Sequence, residues 1–529
     1  MAERLPSRPG MIDSSGSSEG RRPPLFVVSN REPYIHTQRP DGTIAWAPTT
    51  GGMAVALDAL LRERGGTWIA HGAGDADPLV SDAEGRVRVP PDSPSYTLKR
   101  IWLTAEEEQR YYGGFSNEGL WPTCHITHVR PVFRSEDWTA YQAVNERFAE
   151  AIDAELGDST APVFIQDYHM ALVAGYLRRR RPDAKTALFW HIPWPHPDRL
   201  RMCPWRKEIM EGLLANDLLA FQLERDRRNF LQGVRDELPA QIERSTVRLG
   251  NHSTHVVSAP IGVDYDRISN IATEASLASE KARLRRELRL DESEGRLIGI
   301  GVDRLDYTKG IPERLAALDR LLTIYPELCE RLVFVQVGVP SRSRLDSYAS
   351  IEQEIDQMVA DINSRHGEGP DRGPIRYRKS SLKIRRLVAL YQLADFCIVS
   401  SLHDGMNLVA KEFVAARTDE DGVLVLSEMT GAAQELTDAL IINPYDIDGF
   451  AAAIKEAIDM PPEERRRRMR SMRRAVAGHD VFVWASDILE GLERVRPRPR
   501  IVRGSEVTRT LTPFRIVNTQ APAGGDARR

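Results

Sequence analysis

The sequence predicts an α/β protein built from two parallel-sheet halves, and three observations carry that prediction. Short apolar, β-rich runs alternate with helical patterns, the order that gives parallel strands joined by right-handed crossovers. The alternation pauses near residues 260–264 and then restarts, so each half is a Rossmann-like unit of roughly 200 residues. The 529 residues are 41% hydrophobic and 28% charged, an ordinary globular composition for a chain of about two to four domains.

Residues 1–23, rich in Ser, Gly, Pro and Arg, predict a disordered arm. Residues 25–30 predict a buried strand, followed by the Thr49-Thr50-Gly51-Gly52 loop and a helix over 53–64. A strand at 163–167, a helix at 170–180, a strand at 186–191, a helix at 205–216 and a strand at 217–223 continue the first half. The second half predicts strands at 296–302, 331–338, 375–378, 396–400, 423–427 and 439–443. Between and after them come helices at 311–325, 350–364, 382–393, 408–417 and 448–459. The arginine-rich stretch 461–474 has acidic residues mixed in, so it reads as a solvated helical face. Residues 497–529 predict an unstructured tail.

Several function classes are disfavoured. The formal charge is −4, which argues against a nucleic-acid partner. The longest apolar runs, 162–166 and 186–190, fall far short of the roughly 18–20 residues a bilayer span needs, so no membrane partner is expected. No basic start leads into an apolar stretch, and the four cysteines are scattered without ligand spacing. Reduced, buried thiols in a cytoplasmic protein are the expectation. The Asp75-Ala76-Asp77 string lies in a glycine-rich loop apart from the other motifs, so no metal site and no cofactor are predicted. GxSxG and GxxxxGK[ST] are both absent. The oligomeric state is open, a homo-oligomer included.

The chemistry concentrates at predicted strand ends. Arg304 and Lys309, in Gly301-Val-Asp-Arg-Leu-Asp-Tyr-Thr-Lys-Gly310, sit on a strand-to-helix turn, where two cations and helix-start N–H groups suit a phosphate. His403-Asp-Gly-Met-Asn-Leu408 follows an apolar strand and opens a helix. Gly405 permits close backbone approach, and the amides of Met406, Asn407 and Leu408 suit an anion. Asp404 suits sugar hydroxyls, and Glu412, about two turns into the helix, suits a ribose diol. Gly51 and Gly52 can bring N–H groups onto a second phosphate face. Asp167-Tyr168-His169 and His191-Ile192-Pro193 end neighbouring strands and should meet in one cleft. Tyr112 and Trp121 flank Gly113-Gly114 and can stack on a sugar ring or pack locally.

Taken together, Ser29-Asn30-Arg31, Gly51-Gly52, Tyr112 with Trp121-Pro122, Asp167-Tyr-His169, His191-Ile-Pro, Asp303-Arg-Leu-Asp-Tyr-Thr-Lys-Gly310, Pro340-Ser-Arg342 and Asp404-Gly-Met-Asn-Leu-Val-Ala-Lys-Glu412 resemble the trehalose-6-phosphate synthases. This family of retaining glucosyltransferases also holds glucosylglycerol-phosphate synthases, and it has two facing Rossmann domains in the GT-B arrangement. The likeness runs in order from about residue 25 to 495. It implies transfer of glucose from a nucleoside-diphosphate glucose, taken as UDP-glucose, to glucose 6-phosphate, forming α,α-trehalose 6-phosphate without a metal.

By the same resemblance, Arg304 and Lys309 would hold the donor diphosphate and stabilise the leaving group. Gly52 and the amides of Met406, Asn407 and Leu408 would face the phosphates, and Glu412 would bind the ribose. Asp404 and His191 would hold the transferred glucose. Arg31, Tyr112, Trp121 and Arg342 would clasp the acceptor phosphate, with Asp167 on the acceptor sugar. The implied domains are an arm at 1–23, an acceptor domain at 24–262 and a nucleotide-sugar domain at 263–479. A helix at 480–496 would cross back to the first domain, before a tail at 497–529.

This chain has Arg31-Glu32-Pro33 where members commonly read Arg-Leu-Pro, a point at which it resembles the glucosylglycerol-phosphate synthases, and it has Ser401 and His403 where members commonly have Pro and Arg. Glycerol 3-phosphate as acceptor, and a non-catalytic sugar-phosphate sensor, are the alternatives.

Overall fold

The computed structural model describes residues 24–49, 52–290, 296–340, 346–367 and 373–495. Gly51, Arg342, the arm 1–23 and the tail 497–529 lie outside the described residues.

Two large sheets organise these residues. The first has ten strands in the order Gln241–Glu243, Thr246–Leu249, His252–Ser258, Leu218–Phe221, Thr186–Trp190, Val163–Gln166, Leu25–Arg31, Gly66–His71, Tyr96–Ile101, Arg86–Val89. Its middle is parallel, as the strand–helix alternation predicts, and antiparallel strands extend it at both edges. Gln241–Glu243 and Thr246–Leu249 pair antiparallel on one side, and Arg86–Val89 does so on the other. The reason lies in burial. The central strands Val163–Gln166, Thr186–Trp190 and Leu218–Phe221 are buried along their whole length, as strands covered on both faces must be. The edge strands are mostly exposed or half-buried, which suits hairpin pairing.

The second sheet is parallel throughout, in the order Ile375–Arg378, Leu332–Val339, Leu297–Arg304, Phe396–Val399, Val423–Ser427, Leu440–Ile442. In both sheets the chain leaves one strand toward one side and later returns to its other side. The reversal falls beside Leu25–Arg31 in the first sheet and beside Leu297–Arg304 in the second. A crevice opens at the carboxyl end of such a reversal, and this is where α/β proteins bind ligands.

The first half holds elements that the sequence reading did not include. A hairpin, Tyr34–Gln38 with Ile44–Pro48, follows the first strand. The helix Ser135–Leu156 buries Trp138, Tyr141, Val144, Phe148 and Ile152 at three- and four-residue spacing, an apolar stripe against the sheet. Before it, Gln109–Leu120 winds as a π-helix and leads into the short helix Trp121–Cys124. π-Helical turns are rare and concentrate at functional sites.

Helix Val481–Arg494 begins on the Asp480 cap, whose carboxylate accepts the N–H groups of Phe482 and Val483. It packs on the first sheet, with Trp484 edge-on to Phe189 at 5.0 Å. The arginine-rich helix Pro462–Gly478 is spent on pairing. Arg470 meets Glu420, Arg467 meets Glu464 and Asp438, and Arg473 donates to the carbonyls of Val414 and Ala415 at the end of a neighbouring helix.

All four cysteines are free. Cys124, Cys203 and Cys397 are buried as expected, whereas Cys329 is only half-buried. No helix among the described residues is long and apolar enough to cross a membrane.

Candidate active site

The carboxyl ends of the two sheets face one another across a cavity of about 450 Å³. One wall comes from the second sheet. Leu297–Arg304 ends at Arg304, and a tight 3₁₀ turn, Tyr307–Lys309, follows with Asp306 capping it. Gly310 ends the turn at φ 61°, where a Cβ would meet the Ser400 carbonyl oxygen at 2.1 Å, so this position demands glycine. Lys309 is thereby aimed across to the loop after Phe396–Val399, where its Nζ donates to Asp404 Oδ2 at 2.5 Å. Burial pushes the Asp404 carboxyl up, but the Lys309 ammonium and the Asn407 hydrogen bond override it and hold it down at about 2.

Asn407 caps helix Leu408–Ala416 by accepting the Ala410 N–H, and it does so at φ 77°, an uncommon backbone for a non-glycine residue. Met406, Asn407, Leu408 and Val409 all line the cavity, so the helix N-terminus opens onto it. Gly405 is not among the lining residues. A Cβ there would meet the His191 carbonyl oxygen at 2.5 Å, so this glycine sets how closely the two halves approach. Glu412 reaches the cavity from the second turn and accepts from the buried Tyr391 hydroxyl at 3.2 Å. Burial raises its carboxyl to about 7, outweighing the Tyr391 hydrogen bond.

The opposite wall comes from the first sheet. Arg31 ends the first strand, with Nη2 3.4 Å from the Tyr112 hydroxyl. Tyr112 is carried by the π-helix and stacks on His169 at 5.5 Å. Trp121 sits beneath Arg304, whose guanidinium carbon is 5.7 Å from the ring centre, a cation–π contact between the walls. Asp167, at φ 75°, accepts from the backbone N–H of Tyr168 and of His191, so the two strand ends meet as their spacing predicts. His191 Nε2 lies 2.9 Å from Gln166 Oε1, which puts the ring proton on Nε2, and burial pushes the imidazole down to about 3. Gly52 opens helix Gly52–Arg64, whose Met53 and Ala54 also line the cavity.

Sequence reasoning missed His125, Gln166 and Gln222, which line the same cavity. A glutamine closing an apolar strand was the available signal for Gln166. Gln222 follows such a strand and donates to the His191 carbonyl at 3.3 Å. Glu32 faces away from the cavity. Its carboxylate is 1% exposed, accepts from Arg100 Nε at 2.7 Å and takes the Ala73 N–H. Asp77 belongs to the same buried cluster, 2.7 Å from Arg100 Nη2, so the Asp75-Ala76-Asp77 string is a structural anchor. Among the described residues no group of three or more His, Cys, Asp or Glu could hold a metal ion.

Two Rossmann-like sheets, with a cationic, helix-capped wall facing an aromatic and arginine wall across one cleft, have the GT-B arrangement. The chain belongs to glycosyltransferase family 20, whose family model matches residues 23–494. It is 39% identical over 504 residues to the trehalose-6-phosphate synthase of Mycobacterium marinum, covering 93% of this chain and 97% of the relative. It is 40% identical over 490 residues to that of Mycolicibacterium smegmatis, covering 90% and 93%. Among solved structures it is similar to an α,α-trehalose-phosphate synthase (UDP-forming) from Burkholderia xenovorans in complex with glucose-6-phosphate. That match has a TM-score of 0.78 at 32% identity over 89% of this chain and 100% of the other. An E. coli structure described as bound with UDP-2-fluoro glucose matches with a TM-score of 0.79 at 31% identity, covering 90% and 100%.

Proposed function

We propose that this chain is a retaining glucosyltransferase that moves glucose from UDP-glucose to glucose 6-phosphate, forming α,α-trehalose 6-phosphate. The observation that carries the reading is that one cavity has two chemically distinct walls. Arg304, Lys309 and the helix N-terminus at Met406–Leu408 suit a diphosphate, with Glu412 on the ribose and Asp404 and His191 toward the transferred glucose. Arg31, Tyr112 and Trp121 suit a sugar phosphate, with Asp167 on its ring. The relatives' names and the ligands of the two solved structures support the same pair of substrates.

In the transfer, the bond from the glucose anomeric carbon to the β-phosphate oxygen breaks. A bond from that carbon to the acceptor hydroxyl oxygen forms on the same face, and the hydroxyl proton passes to the departing phosphate oxygen. The carboxylates in the cavity wall are already engaged. Asp404 pairs with Lys309, Asp303 pairs with Arg314 at 2.8 Å, Asp167 holds two backbone N–H groups, and Glu412 takes the Tyr391 hydroxyl. None is therefore assigned as a nucleophile. Fixed cations and amides at the leaving group supply the main electrostatic stabilisation, and the facing walls supply orientation.

The buried Glu32 pairs with Arg100 and does not line the cavity, so it makes no contact there that selects glycerol 3-phosphate over glucose 6-phosphate. Purified protein should release UDP from UDP-glucose only when glucose 6-phosphate is added, in EDTA as well, and proton NMR should show an α,α-linked product. No UDP release with any sugar phosphate would instead support a sensor.

A further inference from the structure

The segment from Trp121 to Thr127 belongs to the first half, yet it touches the second half at Arg304 and at His403. Trp121 lies beneath Arg304. Five residues on, the Ile126 backbone N–H donates to His403 Nδ1 at 3.1 Å. His403 is 6% exposed and immediately precedes Asp404. On its own side the segment is stitched down by Arg199, whose guanidinium donates to the carbonyls of Pro122 at 2.7 Å, Thr123 at 3.2 Å and His125 at 3.2 Å. His125 fills the space between the two contacts. Its ring packs 4.1 Å from Trp121 and edge-on to His403 at 6.0 Å. Burial holds His403 well below its ordinary pKa, so the imidazole is neutral and can accept at Nδ1 with its proton on Nε2.

We propose, resting on the transfer reading above, that His403 is a positioning residue. It clasps segment 121–127 to the loop carrying Asp404, and so fixes Trp121 of the acceptor wall relative to Arg304 and Asp404 of the donor wall. Reacting groups held by two separate halves must be brought to within roughly 3–3.5 Å, and small misplacements are costly. A stitched segment that touches both Arg304 and the loop carrying Asp404 transmits that register. Arg304, Lys309 and Glu412 all lie in the second half, so binding of free nucleotide should depend less on the clasp than use of the acceptor does.

Amide hydrogen exchange at Ile126 in the full chain reads the bond directly. His403→Ala should speed it by about tenfold or more. His403→Asn, whose Oδ1 can accept, should restore protection, whereas His403→Arg, which only donates, should not. In steady-state assays His403→Ala should lower kcat/KM for glucose 6-phosphate by about tenfold or more. UDP affinity should change less than about twofold, and Asn should recover most of the loss. Equal Ile126 exchange in all four proteins, or rescue by Arg as complete as by Asn, overturns the clasp. Slow Ile126 exchange that depends on an acceptor at position 403, in a protein with no glucosyl transfer, upholds the contact and overturns the transfer reading instead.

Discussion

The two walls of the cavity are built in opposite ways. The wall proposed for the donor is local. Ten consecutive residues, 301–310, place Arg304 and Lys309, and nine more, 404–412, place Asp404, the helix N-terminus and Glu412. The wall proposed for the acceptor is assembled from a distance. Arg31 ends the first strand, Tyr112 rides a π-helix, Trp121 opens a short helix, and Asp167 lies beyond a 22-residue helix. A wall made of strand–loop–helix units keeps its geometry from its own hydrogen bonds. A wall made of scattered residues depends on the packing of the whole half, and it is the wall through which acceptor choice can vary.

If that contrast holds, damage to the donor wall should be the most severe. Arg304→Ala or Lys309→Ala should lower kcat by on the order of 10²–10³, the usual cost of removing a preorganised charge at a leaving group. Near wild-type turnover in both variants, with melting curves intact, would contradict the donor assignment. Next comes the seam. A methyl at Gly405 would press on the His191 carbonyl, at 2.5 Å for an ideal Cβ, and push the walls apart. Gly405→Ala should therefore lower kcat/KM for the acceptor by on the order of 10²-fold. Unchanged kinetics would mean that the halves approach less closely when they work.

Glu412 sharpens the donor side further. Its carboxyl titrates at about 7, above its ordinary value, because it is buried. In the proposed complex a ribose diol donates to the carboxylate, so bound UDP favours the deprotonated form. UDP affinity should rise as pH increases through about 7, with proton release on binding below that pH. Glu412→Gln should lose this slope together with roughly 1.5–3 kcal/mol of UDP binding. Calorimetry across pH 6 to 8, as a range about that value, checks both, and a flat wild-type profile would refute the assignment. On the acceptor wall, Arg31→Ala should cost roughly 1.5–3 kcal/mol of glucose 6-phosphate binding and leave UDP binding unchanged. A loss of UDP affinity in that variant would erase the division between the walls.

The same contrast explains what the sequence could reveal. The strand–turn–helix units at 301–310 and 404–412 were legible because strand, glycine turn and helix cap are contiguous and each has its own local physics. The π-helix was not, because Gly113-Gly114 is the mark of a loop and nothing local predicts one extra residue per turn. The hairpin after the first strand carried a readable signal in Asp41-Gly42, with Gly42 at φ 83°. Glu32 stood out as a departure, but its partner Arg100 is 68 residues away. Only the fold shows that it is a buried anchor, outside the acceptor pocket. The positive φ at Asp167 and Asn407 is likewise a product of tertiary packing at the two strand ends.

The central claim is that the first half's wall reads a phosphorylated sugar. The most direct test is parallel kcat/KM with UDP-glucose for glucose 6-phosphate, glycerol 3-phosphate and unphosphorylated glucose. Glycerol 3-phosphate keeps the phosphate for Arg31 but offers no ring to Tyr112, Trp121 or Asp167, and glucose offers the ring without the phosphate. Glucose 6-phosphate should exceed each by more than about tenfold, or about 1.4 kcal/mol in transition-state binding. Preference for glycerol 3-phosphate would contradict the account and place the aromatic wall outside acceptor recognition.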